Sequence, residues 1–288
     1  MIASALAGTA ASPSPPPTGW HARLALRFER DAARSWLAEC RHSGPLRVQK
    51  ALYPEGPEVC QAVIVHPPGG IVGGDALDVS VVAAPGAHAQ VTTPGAAKWY
   101  RSAGAVAVAT TELGVGAGAV LEWLPQEAIV FDGARATIAT RVALDRGAWF
   151  VGWDVVALGR AAAGERFSSG CLRQSLEVRR EGTLLWCERS VLDGGSPALN
   201  SGAVLAGEPV FGTMIVAGGE VPDALLGACR AIAAEGGDGA VTRLPGVLVA
   251  RYRGRAAGMA RTYFALLWRT LRPALLGRVA VPPRIWNT

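Results

Sequence analysis

The chain has 288 residues, half of them apolar and only 18% charged, with a formal net charge of +5. That length carries one large or two ordinary domains with ample core, and that composition excludes a disordered chain. No run of 18 uncharged apolar residues occurs, which argues against a membrane span.

The first 17 residues, MIASALAGTAASPSPPP, contain no Lys or Arg and so lack the charged start of a secretory signal. Residues 1–18 are expected to form a disordered Pro-rich tail, and residues 19–288 a single domain. Within it, a β body is expected over about 19–215 and a helix-containing part over about 216–288.

From Trp20 to Leu205 the apolar periodicity is that of strands. ARLALRF, CQAVIVH, DVSVVAA, AQVTT, AVAVATTEL, VLEWL and TIATRVAL are short runs bounded by Gly, Pro or Asp-Gly. Between two of them stands VIVHPPGGIVGGDAL, residues 63–77, framed by His66 and Asp75. Its prolines and the glycines Gly69, Gly70, Gly73 and Gly74 predict two tight corners that bring strands 60–66 and 77–82 together.

PGAHAQVTT, AGAVLEWLP and RGAWFVGWD each set Gly-Ala at the head of an apolar strand. Their glycines Gly86, Gly118 and Gly147 lie 32 and 29 residues apart. A unit of about 30 residues built from strand pairs predicts stacked β layers, a β-helix-like body. Three imperfect copies also suit the hairpins of a sandwich.

Three acids interrupt apolar strands: Glu122 in VLEWLPQE, Asp154 in FVGWDVVAL and Glu188 in LLWCERSVL. Both strand faces are apolar there, so each acid meets protein interior whichever way it points. A buried carboxylate costs several kcal/mol in order of magnitude unless an arginine, water or a cation compensates it. Ion pairing, with Arg166 and Arg189 nearby in sequence, is one reading. The other is a polar passage through the β body, lined by Asp75, Glu122, Asp154 and Glu188 with His66 as a further candidate. Such a set suits a transient divalent ion.

Two helices are expected late in the chain. PDALLGACRAIAAEGG opens at Pro222 and should stop at Gly236-Gly237. GMARTYFALLWRTLRPALLG places Phe264, Leu267, Trp268, Leu271 and Leu275 on one stripe, flanked by Arg261, Arg269 and Arg272, with a kink or restart at Pro273. That stripe either docks on the protein's own core or binds a partner. Residues 241–288 hold nine arginines and no acid, but interleaved Leu, Trp and Phe point away from nucleic acid. The five scattered cysteines suggest reduced thiols of a cytoplasmic protein.

GGIVGGD lacks the Gly-Lys-Ser/Thr of a phosphate loop, is not G-x-G-x-x-G, and is followed by a strand pattern rather than a helix. There is no G-x-S-x-G nucleophile setting. A small-ligand or nucleotide-binding hydrolase using the glycine-rich loop remains the alternative reading.

HPPGGIVGGD, TTPGAAKWYRS, LEWLPQEAIVFDGA, LGRAAAGERF, LRQSLEV and the ending LRPALLGRVAVPPRIW together resemble the urease accessory protein family UreD, also called UreH. The resemblance runs in order from about Trp20 to Trp286. It implies a β-rich fold with two helices and a non-enzymatic role, the delivery of nickel to apo-urease with UreF and the GTPase UreG. It allows a dimer within that complex and implies transient nickel(II) with no tightly bound cofactor. Carried over residue by residue, it points to Asp75, Asp154 and Glu188 on the nickel route. Where family members often have Ser or Thr, this chain has Ala97; where they often have Phe, it has Trp99; where many have His, it has Ser169. These departures favour a low-affinity passage over a coordination cage.

Overall fold

The computed structural model describes residues 19–287; the expected Pro-rich tail at 1–18 lies outside the described residues. Seventeen strands and two α-helices follow one another as β1 (His21–Arg30), β2 (Ser35–Ser43), β3 (Arg47–Val48), β4 (Cys60–Val65), β5 (Ala76–Ala83), β6 (His88–Thr92), β7 (Ala97–Trp99), β8 (Ala107–Val115), β9 (Val120–Leu124) and β10 (Ala128–Val130). Then come β11 (Arg135–Leu144), β12 (Trp149–Leu158), β13 (Cys171–Arg180), β14 (Thr183–Asp193), β15 (Val210–Ala217), α1 (Asp223–Arg230), β16 (Gly237–Leu244), β17 (Val247–Gly254) and α2 (Ala257–Leu276).

The strands form two large sheets. The first has the order β14-β13-β11-β8-β5-β1-β2, and the second runs β16-β17-β15-β12-β9-β6-β4-β3. Neighbours β1, β5, β8, β11 and β13 are parallel in the first sheet, as are β4, β6, β9 and β12 in the second. Short strands β7 and β10 branch from the second sheet, β10 pairing in parallel with both β12 and β7. The chain therefore winds repeatedly from one sheet to the other, the expected β-helix-like body.

Each expected Gly-Ala corner is a crossing from the first sheet to the second. Gly86, Gly118 and Gly147 have φ of +73°, +65° and +71°, backbone that a Cβ disfavours. Successive corners stack, because Gly86 N donates to Ala117 O at 3.0 Å and Gly118 N to Arg146 O at 3.2 Å. The loop 66–75 is a different kind of crossing. It carries β4 of the second sheet to β5 of the first, so the two flanking strands face each other across the body and do not pair.

One core fills the space between the sheets, around Phe28, Leu113, Leu121, Leu144, Phe150 and Leu172. A second lies between the other face of the second sheet and the helices, around Trp153, Tyr252, Phe264, Leu267 and Trp268. The central strands of the second sheet are thus dry on both faces. Phe150, Val156 and Leu158 of β12 join the inter-sheet core while Val151, Trp153 and Val155 face the helices, which is why FVGWDVVAL shows no polar side.

The C-terminal part adds to and departs from expectation. Residues 237–254, for which no element is expected, form β16 and β17, which extend the second sheet beyond β15. Helix α1 ends at Arg230, well before Gly236, because the following residues lead into β16 and Arg230 Nε donates to Val241 O at 3.0 Å. Helix α2 does not restart at Pro273 but continues to Leu276, where Gly277 N donates to Pro273 O at 3.1 Å. Pro273 falls in the last turn, so it removes one i→i−4 bond close to the point where the helix ends anyway.

The corners give a first test. A Cβ on Gly118 meets no atom within 4 Å, so Gly118→Ala carries only the left-handed backbone cost. That is on the order of 1 kcal/mol, roughly 2–4 °C in melting temperature, and Gly118→Asn, which tolerates this backbone better, should lose less. Thermal denaturation followed by circular dichroism reads both.

Candidate functional site

In HPPGGIVGGD the backbone turns first at Gly69, φ +76°, whose N–H donates to His66 O at 3.2 Å, and again at Gly74, φ +96°. Gly70 and Gly73 are needed for a different reason. A Cβ on Gly70 would overlap the Tyr100 ring, and one on Gly73 would overlap Ser102 Oγ. Asp75 is buried and closes the loop: its carboxylate accepts from Trp20 N at 2.8 Å and from Val72 N at 2.9 Å. A loop whose close approaches are filled by Tyr100 and Ser102, and which carries its own carboxylate, is poorly suited to hold a phosphate. His66 is half-buried. Burial lowers its pKa, opposed by the negative charge of Asp75, so the imidazole is neutral at pH 7 with a lone pair to offer.

His66 stands at one end of a cavity of about 290 Å³ between the sheets; Asp154 and Gln174 stand among its lining at β12 and β13. The register explains its polar lining. On the first sheet, β5, β8, β11, β13 and β14 align Val79, Thr111, Thr140, Leu176 and Glu188 in one row. On the second sheet, β12, β15 and β17 align Asp154, Thr213 and Arg251. Thr111 and Thr140 line the cavity with Asp154. Beyond Asp154 a crevice of about 10 Å³, room for a single water at most, leads past Gln174 and Thr213 to Glu188. Asp154 is therefore common to the cavity and to the crevice.

The two carboxylates differ in their compensation. Glu188 accepts from Arg251 Nη1 at 2.9 Å and from Thr213 Oγ1 at 3.3 Å. The arginine that pairs with it comes from β17, not from its sequence neighbour Arg189. Among the described residues, no cation or hydrogen-bond donor pairs with Asp154. Its pKa is pushed up to about 6, first by burial and then by the charge of Glu188. At neutral pH it ionises against that cost. No group of three or more His, Cys, Asp or Glu among the described residues is placed to hold a metal ion.

Comparison with known proteins decides the family. Residues 21–287 match the model of the family described as UreD urease accessory protein. The chain belongs to the UreD family. It is 54% identical over 270 residues to the urease accessory protein UreD of Azoarcus sp. (strain BH72), covering 94% of this chain and 95% of that one. It is 54% identical over 273 residues to that of Dechloromonas aromatica (strain RCB), covering 93% and 95%, and 51% identical over 272 residues to that of Nitrosococcus oceani, covering 94% and 92%.

The geometry of this UreD-family chain corrects two expectations. Glu122, expected in the passage, points the other way, into the second core. Its carboxylate lies 2.6 Å from His88 Nε2 and accepts from Trp268 Nε1 at 2.6 Å and from Arg272 Nη2 at 2.9 Å. Arg272, itself buried, also donates to Glu55 at 2.7 and 3.0 Å and to the Val279 carbonyl. Burial pushes the Glu122 carboxyl up, but His88 and Arg272 together hold it below the ordinary 4.5. Glu122 thus fixes α2 to the sheet and does not face the cavity.

The stripe on α2 is the second correction. Phe264, Trp268 and Leu271 are 0–1% exposed, packed on the second sheet, and cannot be the surface a partner touches. Of its arginines, Arg272 is buried in the Glu122 cluster and Arg261 bonds Gln126 and Glu127, while Arg269 is exposed. The aromatic side chains dock on the chain's own core because β16 and β17 widen the sheet beneath them. Sequence reasoning missed Thr213 and Arg251, whose placement depends on pairing β12 with β15 and β17, and Gln174, which pairs across from β11.

Two stability measurements follow, with opposite signs. Glu122 is held below its unfolded value, so its contribution is full above that value and is lost as pH falls through the folded one. Glu122→Gln should therefore cost about 3–5 kcal/mol at pH 7, leaving a buried arginine half-compensated, and less toward pH 3. Asp154 has a raised folded pKa, so the folded state loses stability as pH rises from about 4 through about 6. Asp154→Asn should be more stable than the parent at pH 8, on the order of 2 kcal/mol, and indistinguishable at pH 4. Urea denaturation across that pH range checks both.

Proposed function

We propose that this chain is a non-catalytic scaffold of urease maturation that passes nickel(II) to apo-urease within a cytoplasmic complex with UreF and the GTPase UreG. The observation that supports it best is the inter-sheet cavity ending at Asp154, whose carboxylate lacks a compensating cation. A cavity of about 290 Å³ holds roughly ten waters, so an incoming divalent ion keeps much of its hydration until it meets Asp154. There it finds oxygen donors: the Asp154 carboxylate, then Thr213 and Glu188 through the crevice. Carboxylate and hydroxyl oxygens hold nickel more weakly than imidazole or thiolate, and weak donors in series suit a cargo that must leave.

Asp75 and His66 belong to the opposite end of this route. The Asp75 carboxylate is committed to the loop backbone, so its part is to shape the mouth and to place negative charge beside His66. His66, neutral and lining the cavity, offers the one nitrogen donor of the candidate set. The glycine-rich-loop hydrolase is the weaker reading, since the loop's space is occupied by Tyr100 and Ser102 and its charge is negative. A dimer within the accessory complex stays part of the proposal.

The test is nickel loading of apo-urease in the reconstituted accessory complex. Asp154→Asn and Glu188→Gln should each lower the loading rate by about ten-fold or more while co-purification with the partners is retained. Asp75→Asn should lower both loading and stability, because it unties Trp20 and Val72. Wild-type loading by the Asp154 and Glu188 variants would refute the passage.

A further inference from the structure

The Glu188 end of the proposed route is closed by the protein's own cation. Glu188 lies on β14, the last strand of the first sheet, while the second sheet continues past it through β15 to β17. Arg251 of β17 crosses that gap. Its Nη1 donates to Glu188 Oε1 at 2.9 Å, and its guanidinium lies 5.7 Å from the centre of the Trp186 ring on the same strand as Glu188. Thr213, register partner of both Asp154 and Arg251, donates to Glu188 from the interior side. The carboxylate is thus held between a hydroxyl on the cavity side and an arginine on the solvent side.

This arrangement conflicts with free passage of a cation. A guanidinium bonded to Glu188 neutralises the last carboxylate of the route and repels a divalent ion arriving from Asp154. The crevice between the two acids, about 10 Å³, leaves no room for metal and arginine to share Glu188 without a shift. Arg251 can move: its side chain is 52% exposed, and an exposed ion pair of this kind is weak. Trp186 offers it a ring face but no charge. Water can solvate the guanidinium once it leaves Glu188, but an outside carboxylate would hold it away better.

We propose that Arg251 is the plug of the passage: it occupies Glu188 while the chain is alone, and an acidic group on the docked recipient draws it away so that the cation can leave. The inference rests on the passage reading and adds its regulation. It makes Arg251 a positioning residue, acting on the cargo through Glu188. Release would then occur only where a protein with a complementary carboxylate is seated, and loss of the ion to solvent would be suppressed.

The experiment is nickel(II) chloride binding to the full chain at pH 7.5, by equilibrium dialysis and by quenching of tryptophan fluorescence, in wild type, Arg251→Gln, Arg251→Gln/Glu188→Gln and Arg251→Gln/Asp154→Asn. Freed of its internal competitor, Arg251→Gln should bind nickel at least about five-fold more tightly than wild type, the scale on which an exposed ion pair competes. That gain should vanish in both double variants. Arg251→Met, measured the same way, replaces Arg251→Gln if the latter melts well below wild type. In the reconstituted complex, Glu188→Gln and Asp154→Asn report on the passage alone. If they slow urease loading while Arg251→Gln leaves nickel affinity unchanged, the passage stands and the plug is refuted. If neither acid matters for loading, both fall together. A gain in affinity that survives Glu188→Gln also refutes the plug, because the ion would then be bound elsewhere.

Discussion

The second sheet is covered on both faces along its central strands, and that one constraint governs the acids they carry. A strand exposed on one side can send its charges to water. Strands β9 and β12 have no such side, so each of their acids must be answered from the layer it faces. Glu122 faces the helices and is answered by Arg272, Trp268 and His88. Asp154 faces the first sheet, where Thr111 and Thr140 line the cavity with it and where burial and Glu188 raise its pKa to about 6. Two acids on neighbouring strands of one sheet thus become an anchor and a site. Strand parity alone decides which.

The anchor explains why the C-terminus belongs to the body and is not an appendage. Arg272 joins β9 and Glu55 to α2, and the chain after the helix returns over the same surface, where Trp286 Nε1 donates to Thr92 Oγ1 at 2.8 Å and its ring approaches those of Trp153 and Trp268. Removing one member of such a cluster leaves buried charge uncompensated, so the cluster behaves as a unit. Its rigidity bears on the site indirectly. Strand β12 carries Trp153 toward α2 and Asp154 toward the cavity, so whatever fixes the one fixes the other.

How much of this was legible in the sequence follows from the range of the interactions. Corners are local: Gly86, Gly118 and Gly147 announce themselves by a Gly-Ala head before an apolar run, and the stacked body follows from their spacing. Burial of Glu122 is also local, because its neighbours on both sides are apolar; Asp154 and Glu188 share that pattern but are only half-buried, Glu188 because its strand is the edge of the first sheet. The face each acid turns to is not local. In a strand apolar on both sides, period-2 alternation carries no mark of inside or outside, so Glu122 and Asp154 look alike. Their partners are more remote still. Glu122 meets Arg272 across 150 residues and Glu188 meets Arg251 across 63, contacts that exist only once the strand order is known. Which of its two readings the α2 stripe follows is not local either, since the sheet it packs on includes β12, β15 and β17.

On the proposed reading, a carrier of a divalent ion has to satisfy two opposed demands, and the layered fold would separate them in space. Tight structure requires every buried charge to be matched, as at Glu122. Transport requires a charge that is matched only while the cargo is present. An acid in the helix-facing core would be silenced by whatever arginine the helices supply, as Glu122 is. An acid between the two sheets faces small and hydroxylated side chains, Thr111, Thr140 and Thr213, which solvate an ion without competing with it for charge. Asp154 can therefore stay unpaired at a cost that the rest of the core absorbs, and under the proposed passage that unrelieved cost would be the attraction for a cation. Full compensation by a resident arginine would lower the energy of the folded chain and, on that reading, remove the pull on the ion.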